Sequence, residues 1–209
     1  MYDFHLELAQ RCALLSQAAY LDSNHTEFLC NANPEVFGSD DVNTFYSDPD
    51  TDTQVLVHLP SKFWNPIVAF RGTSSWKDAH TDLDLTPTPW RGVHVHSGFL
   101  KSLTGLSGTV LSDEINKHAK FPSDPEVVFT GHSLGAALAI LGAYMCHTTR
   151  IFPVHSVHTF GCPRIGLEDF QIDYDMHLRA RTHRYVNNND IVTRVPPRSM
   201  SYRHVGVSH

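Results

Sequence analysis

The chain has 209 residues, of which 41% are hydrophobic and 18% charged, and a formal net charge of −6. That length suits one domain with a sizeable core, and the balance is ordinary for a globular chain rather than a disordered or fibrous one. Net negative charge without any Lys/Arg run beyond two neighbours argues against nucleic acid as a partner.

In chain order, Leu6 to Tyr20 carries Leu8, Cys12, Leu15, Ala18 and Ala19 at helical spacing. Residues 22–53, rich in Asp, Asn, Ser and Pro, are expected to form loops with short strands. Gln54 to Leu59 alternates as an antiparallel strand, followed by a turn at Lys62-Phe63-Trp64-Asn65-Pro66. Ile67-Val68-Ala69-Phe70 is short and continuously apolar, the pattern of a fully buried strand. Residues 71–95 form a polar, proline-punctuated passage of the length often used as a functional lid. Leu100, Leu103, Leu106, Val110, Leu111 and Ile115 mark a helix from Phe99 to about Lys120. Val154 to Phe160 reads as a strand, the region around Leu167 to Asp173 as a helix, and Thr182 to Val186 and Tyr202 to Val207 as the last strands. Strands alternating with helices predict an α/β fold, a mostly parallel sheet covered on both faces. No repeat or linker divides it, so residues 1–209 read as a single domain.

The longest apolar segment, Leu134 to Cys146, contains two glycines and stays below the roughly 18 residues of a membrane span, so no transmembrane segment is expected. Met1-Tyr2-Asp3-Phe4-His5 shows no basic or apolar signal region, which implies the cytoplasm by default, or secretion where a leader has been removed. Cys12, Cys30, Cys146 and Cys162 are too irregular for a disulfide framework or zinc site. Cys12 and Cys146 read as small buried hydrophobes. His94-x-His96 puts two imidazoles on one strand face, but no carboxylate or cysteine set converges on them. Neither a metal nor an organic cofactor is expected.

The chemistry concentrates in Glu126-Val127-Val128-Phe129-Thr130-Gly131-His132-Ser133-Leu134-Gly135. A β-branched run breaks at a glycine, presents a serine, breaks again, and continues as an Ala/Leu-rich helix. Gly-x-Ser-x-Gly between a strand and a helix is a nucleophile elbow, in which the serine is held on a strained turn above the sheet edge. The Leu134 N–H, following the nucleophile at the helix N-terminus, is suited to stabilise an oxyanion. A serine of this kind needs an acid and a histidine from loops after later strands. Asp190, directly after the strand at Thr182, fits the acid. Asp173 and Asp175 compete from a less suitable place before that strand.

Val68-Ala69-Phe70-Arg71-Gly72-Thr73, His96-Ser97-Gly98-Phe99, Thr130 to Gly135, Thr159-Phe160-Gly161-Cys162-Pro163-Arg164-Ile165-Gly166, and Asn189-Asp190-Ile191-Val192 with Pro196-Pro197 follow one another along the chain. Together these motifs resemble the class 3 lipase family, the fungal-type triacylglycerol lipases with an α/β-hydrolase fold. The likeness covers roughly residues 6–207. The resemblance implies a serine ester hydrolase acting on acylglycerols or other lipid esters, with transient contact at a lipid interface. It assigns Ser133 as nucleophile, Asp190 as triad acid and Thr73 as an oxyanion donor beside Leu134. His132, His96 and Arg71 look like packing and hydrogen-bonding residues.

The family continues for some tens of residues past Tyr202-Arg203-His204-Val205-Gly206 before its catalytic histidine. Three readings therefore stand for the base: a chain truncated at its C-terminus, His209, or His204 within the last strand. Among residues present, His209 is the candidate. By the same resemblance, Ser75 to Leu85 is a lid. Trp76, Ala79, Leu83 and Leu85 form only a narrow apolar stripe between polar residues, which favours soluble or short-chain esters. Leu85-Thr86-Pro87-Thr88-Pro89 resembles feruloyl esterases, so an aromatic-ester hydrolase is the alternative, and a catalytically dead binding protein on this fold is another.

Overall fold

The computed structural model describes residues 2–21, 23–61, 65–72, 85–104, 125–187 and 189–209, with side chains from residue 6 onward. Helices α1 (Tyr2–Ala18) and α2 (Ser23–Asn31) precede strands β1 (Val42–Asp48), β2 (Thr53–Leu59) and β3 (Ile67–Phe70). Strands β4 (Pro87–Trp90) and β5 (Val93–His96) lead into α3 (Ser97–Thr104). Then come β6 (Val127–His132), α4 (Leu134–Thr149), β7 (Val154–Phe160), α5 (Glu168–Leu178), β8 (Thr182–Tyr185) and β9 (Val207–Ser208).

Seven strands form one sheet in the order β1-β2-β3-β6-β7-β8-β9. The first two pairings are antiparallel and the remaining four parallel. Every side chain of β3 is buried, which explains its unbroken apolar run: the strand is covered on both faces. The period of two sorts that run between the layers. Ile67 and Ala69 meet Cys12 and Leu15 of α1, whereas Val68 and Phe70 meet the cluster that holds Ala137 and Ile140 of α4. Helix α4 is buried on nearly all sides, as its Ala/Leu/Gly composition requires.

Several expectations need correction. Residues 22–53 hold a helix, α2, and a seven-residue strand, β1, rather than loops with short strands. The polar sequence of α2 gives little local signal; the helix is held by tertiary contact, with Thr26 buried and Leu29 and Cys30 packed against the α1 cluster. The proline-punctuated passage contains the β4–β5 hairpin, turned at Arg91 and Gly92, both at positive φ. Its prolines alternate along β4, so both fall on one side of the ladder and spare the other side's N–H groups. The last strand is only Val207–Ser208, because Gly206 takes φ 74° and breaks the extended run behind it. The helix near Leu167 extends to Leu178. Residues 105–124, the greater part of the helix expected to Lys120, and 62–64 of the expected turn lie outside the described residues. Cys12 and Cys146 are buried free thiols, pushed up to about 12 by burial.

A buried polar network ties α1 to the antiparallel edge. Arg11 lies 3.5 Å from Asp41, with side chains only 8% and 4% exposed. Asp41 also accepts N–H bonds from Gly38 at 2.9 Å and Ser61 at 2.8 Å. His58 Nδ1 lies 2.9 Å from Asn43 Oδ1, so Nδ1 carries the proton and donates. Nε2 then accepts from Arg11 Nη1 at 3.3 Å. Burial pushes this imidazole from 6.5 down to about 3, against the opposing pull of Asp41. Because the folded value lies below the unfolded one, the folded state binds fewer protons. Its contribution to stability is complete above pH 6.5 and is lost as pH falls towards 3. Urea denaturation from pH 7 to pH 4 is therefore expected to show stability falling by up to about 1.4 kcal/mol per pH unit from this group, with a shallower slope in His58→Asn.

Candidate active site

Ser133 stands where β6 ends and α4 begins. Its φ of 57° and ψ of −124° lie in a region that a residue with a Cβ rarely adopts. Two hydrogen bonds hold it there: its N–H donates to the Phe160 carbonyl at 3.0 Å, and its carbonyl accepts from the Ala136 N–H at 3.0 Å. The turn also needs unusual proximity of strand and helix. A Cβ on Gly131 would strike the Gly135 carbonyl, and one on Gly135 would strike the Phe70 carbonyl. The Ser133 side chain is buried, and its Oγ has no hydrogen-bond partner among the described residues. A buried hydroxyl without a partner is uncommon and calls for an explanation.

The N–H of Leu134 opens α4. It belongs to the first turn, where no helical acceptor exists and the positive end of the helix dipole faces Ser133. Thr73 lies outside the described residues. Its neighbour Gly72 sits against Tyr20, so that a Cβ there would strike the Tyr20 hydroxyl. The Tyr20 hydroxyl is also 3.2 Å from His132 Nδ1 and donates to the His132 carbonyl at 3.4 Å. Tyr20 therefore joins the residue before Ser133 to the residue before Thr73. Sequence reasoning missed it; the only local signal is a polar tip at the end of an apolar helix.

Asp190 occupies the loop after β8. Its Oδ1 accepts the Val192 N–H at 2.9 Å, and its carbonyl accepts the Thr193 hydroxyl at 2.9 Å. Its Oδ2 is turned towards Gly161, at the end of β7. A Cβ there would lie 2.5 Å from that oxygen and 3.7 Å from His132 Cδ2. The carboxylate thus stands beside the elbow. Burial pushes the His132 imidazole down, opposed by the Asp190 charge. His96 stacks on Phe99 at 4.0 Å and accepts the Gly98 N–H, a packing arrangement.

The structure does not bring His209 to Ser133. Its backbone exchanges bonds with Arg184 and Val186, which puts it on the β9 side of β8. From β6 that is three strand spacings, roughly 14 Å across the sheet. Its ring packs on Tyr185 at 5.4 Å and meets His183 Nδ1 at 3.1 Å, and Tyr185 stacks on Phe160 of the α1 face. His204 is engaged elsewhere too: its Nε2 donates to the Thr193 carbonyl at 2.9 Å. Burial, with Arg184 and other guanidinium groups adding to it, pushes this imidazole down to about 4. Asp173 accepts from the Tyr144 hydroxyl and Asp175 from the Gly206 N–H, both away from the elbow. Residues 75–84 of the lid segment lie outside the described residues; the Leu85 carbonyl accepts the Tyr202 hydroxyl at 2.7 Å. Among the described residues no three His, Cys, Asp or Glu side chains are grouped to hold a metal, and no helix is long and apolar enough to cross a membrane.

A mostly parallel sheet between helices, with a serine on a strained strand-to-helix elbow, defines an α/β-hydrolase. The family described as lipase (class 3) matches residues 67–200, and the chain belongs to that family. It is 32% identical over 175 residues to a lipase of Rhizopus niveus, covering 79% of this chain and 43% of that protein. It is 32% identical over 150 residues to a secreted mono- and diacylglycerol lipase of Malassezia globosa, covering 66% of this chain and 49% of that protein. Among solved structures, it resembles a triacylglycerol lipase whose catalytic centre is formed by a serine protease triad. That likeness has a TM-score of 0.83 and 25% identity, covering 97% of this chain and 78% of that one. The chain thus spans less than half the length of the two curated relatives.

Because the elbow depends on backbone proximity, Gly135→Ala is expected to force α4 away from Phe70. A cost of about 2–3 kcal/mol in urea denaturation is anticipated, as for other overpacked sites. An unchanged midpoint would mean that strand and helix can separate freely.

Proposed function

We propose that the chain is a serine carboxylic-ester hydrolase that cleaves acylglycerols or related lipid esters through an acyl-enzyme. The observation that carries this reading is the buried Ser133 hydroxyl, without a partner among the described residues, on a strained elbow beside the Asp190 carboxylate. Residues 1–209 belong to one hydrolase domain built on the seven-stranded sheet.

In this mechanism a histidine removes the Ser133 proton as Oγ attacks the ester carbonyl. The developing oxyanion is held by the N–H groups of Leu134 and Thr73, and each such donor is worth about 10²–10³ in turnover. The same histidine then protonates the leaving alcohol, and water hydrolyses the acyl-enzyme by the reverse sequence. Asp190 orients that imidazole through Oδ2, since Oδ1 is occupied by the Val192 N–H. His209 and His204 both make contacts elsewhere, which weighs against either as that imidazole.

The names of the relatives support mono-, di- and triacylglycerols as the substrate class, and the Malassezia relative's name supports secretion. The polar lid sequence favours soluble or short-chain esters and weak activation at an interface. Feruloyl esters remain the alternative substrate.

Turnover of a soluble short-chain ester tests the assignments. Ser133→Ala and Asp190→Asn are each expected to lower kcat by about 10⁴-fold or more. His209→Ala is expected to change it less than about twofold, because no direct contact among the described residues joins His209 to the elbow; a loss comparable to that of Asp190→Asn would place His209 in the triad. With tributyrin, the rate should rise smoothly through the solubility limit. A sharp jump there would contradict the reading of the lid.

A further inference from the structure

The carboxyl edge of the sheet holds a second recess, on the α1 face of β1, β2 and β3. Ser47 pairs with Gln54 across β1 and β2, and the Arg71 N–H donates to the Gln54 carbonyl at 2.9 Å, so the three residues stand in one row. The alternation that turns Phe45, Leu56 and Ala69 towards α1 turns Ser47, Gln54 and Arg71, each two positions away, to the same side. The row lines a cleft of about 400 Å³, walled also by Phe45 and by Tyr20 and Leu21 from the turn after α1. That volume is enough for a small organic molecule, since ligand sites begin at about 300 Å³.

Arg71 gives the cleft its chemistry. Its side chain is half-buried and makes no hydrogen bond or ion pair among the described residues. Nε is enclosed without a partner, which leaves the two Nη nitrogens as the edge that meets the cleft. A partly desolvated cation is costly without a counter-charge. The described lining supplies none: it offers hydroxyls, an amide and aromatic rings, and no carboxylate. The Arg71 charge is among the effects that oppose the rise burial imposes on the Tyr20 phenol. Two parallel N–H groups match the two oxygens of a carboxylate, a geometry that a lysine does not reproduce. Phe45, Leu21 and Tyr20 present apolar surface to whatever body carries that carboxylate. A bare phosphate suits the cleft less well, because the described lining holds no second cation.

We propose that Arg71, with Gln54, Ser47 and Phe45, forms a binding site for a small organic carboxylate with an aliphatic or aromatic body. Tyr20, which walls the cleft, reaches the residue before Ser133 with its hydroxyl, 3.2 Å from His132 Nδ1. The inference does not depend on the ester-hydrolase reading, because binding is measured without turnover. In an NMR titration of the full chain, the Arg71 Nε–H signal is identified by its absence from Arg71→Lys. It is expected to shift on adding phenylacetate or butyrate and to saturate with a Kd of about a millimolar, as suits ligands of this size. Butyrate is the acid that tributyrin releases. Tighter binding of butyrate would uphold the site for an acid of that origin, and tighter binding of phenylacetate would uphold it for an aromatic acid supplied from solution. Gln54→Glu keeps the side chain's shape and fixes a carboxylate beside Arg71, so it should weaken both acids by about tenfold or more. Undiminished binding in that variant would overturn the site, as would an Arg71 signal that neither acid moves. Inorganic phosphate binding as tightly as the acids would also overturn it, since the cleft would then recognise charge alone.

Discussion

The site depends on the approach of α4 to β3 and β6. The backbone of Gly135 lies so close to the Phe70 carbonyl, and Gly131 so close to Gly135, that neither position has room for a side chain. This proximity puts the first turn of α4 directly against the sheet edge and leaves Ser133 the only route between strand and helix. The energy that holds the arrangement comes from behind it. Phe70, Phe129, Ala136, Ala137 and Ile140 form one continuous buried cluster on the α4 face. A strained residue persists where its surroundings over-determine it. Here a helix buried on nearly every side supplies that constraint.

The opposite face contributes precision rather than chemistry. Helix α1 packs its apolar stripe on Ile67, Ala69 and Val128, and its end delivers Tyr20 to both His132 and Gly72. The residues before Ser133 and before Thr73 are thereby tied to one hydroxyl. The Arg11–Asp41–His58 network anchors the other end of this layer to β2 and the loop before β1. A buried charge network is costly unless every partner is satisfied, and it fixes one arrangement when they are.

What could be read from the sequence follows from how local the determinants are. Strands β3 and β6 announced themselves because burial on both faces demands continuous apolar side chains. The elbow announced itself because its glycines answer a short-range steric demand. Helix α2 was hidden, since its polar residues form a helix only when Leu29 and Cys30 find the α1 cluster. Strand β4 was hidden by prolines that a two-stranded ribbon tolerates. Tyr20 meets His132 across a separation of 112 residues, which no pattern along the chain encodes. His209 lies near the sheet's carboxyl edge, as a strand preceding it would place it. Its distance across β7 and β8 from the elbow, and the sheet face its ring takes, become visible only in three dimensions.

The proposed chemistry turns on one property, the nucleophilicity of Ser133. Labelling the full chain with a fluorophosphonate and mapping the adduct by peptide mass spectrometry tests it most directly. A covalent phosphonyl adduct confined to Ser133, formed much more slowly in Asp190→Asn, is the expected result. An unmodified Ser133 under conditions that label an active esterase to completion would contradict that chemistry and mark the elbow as a structural turn.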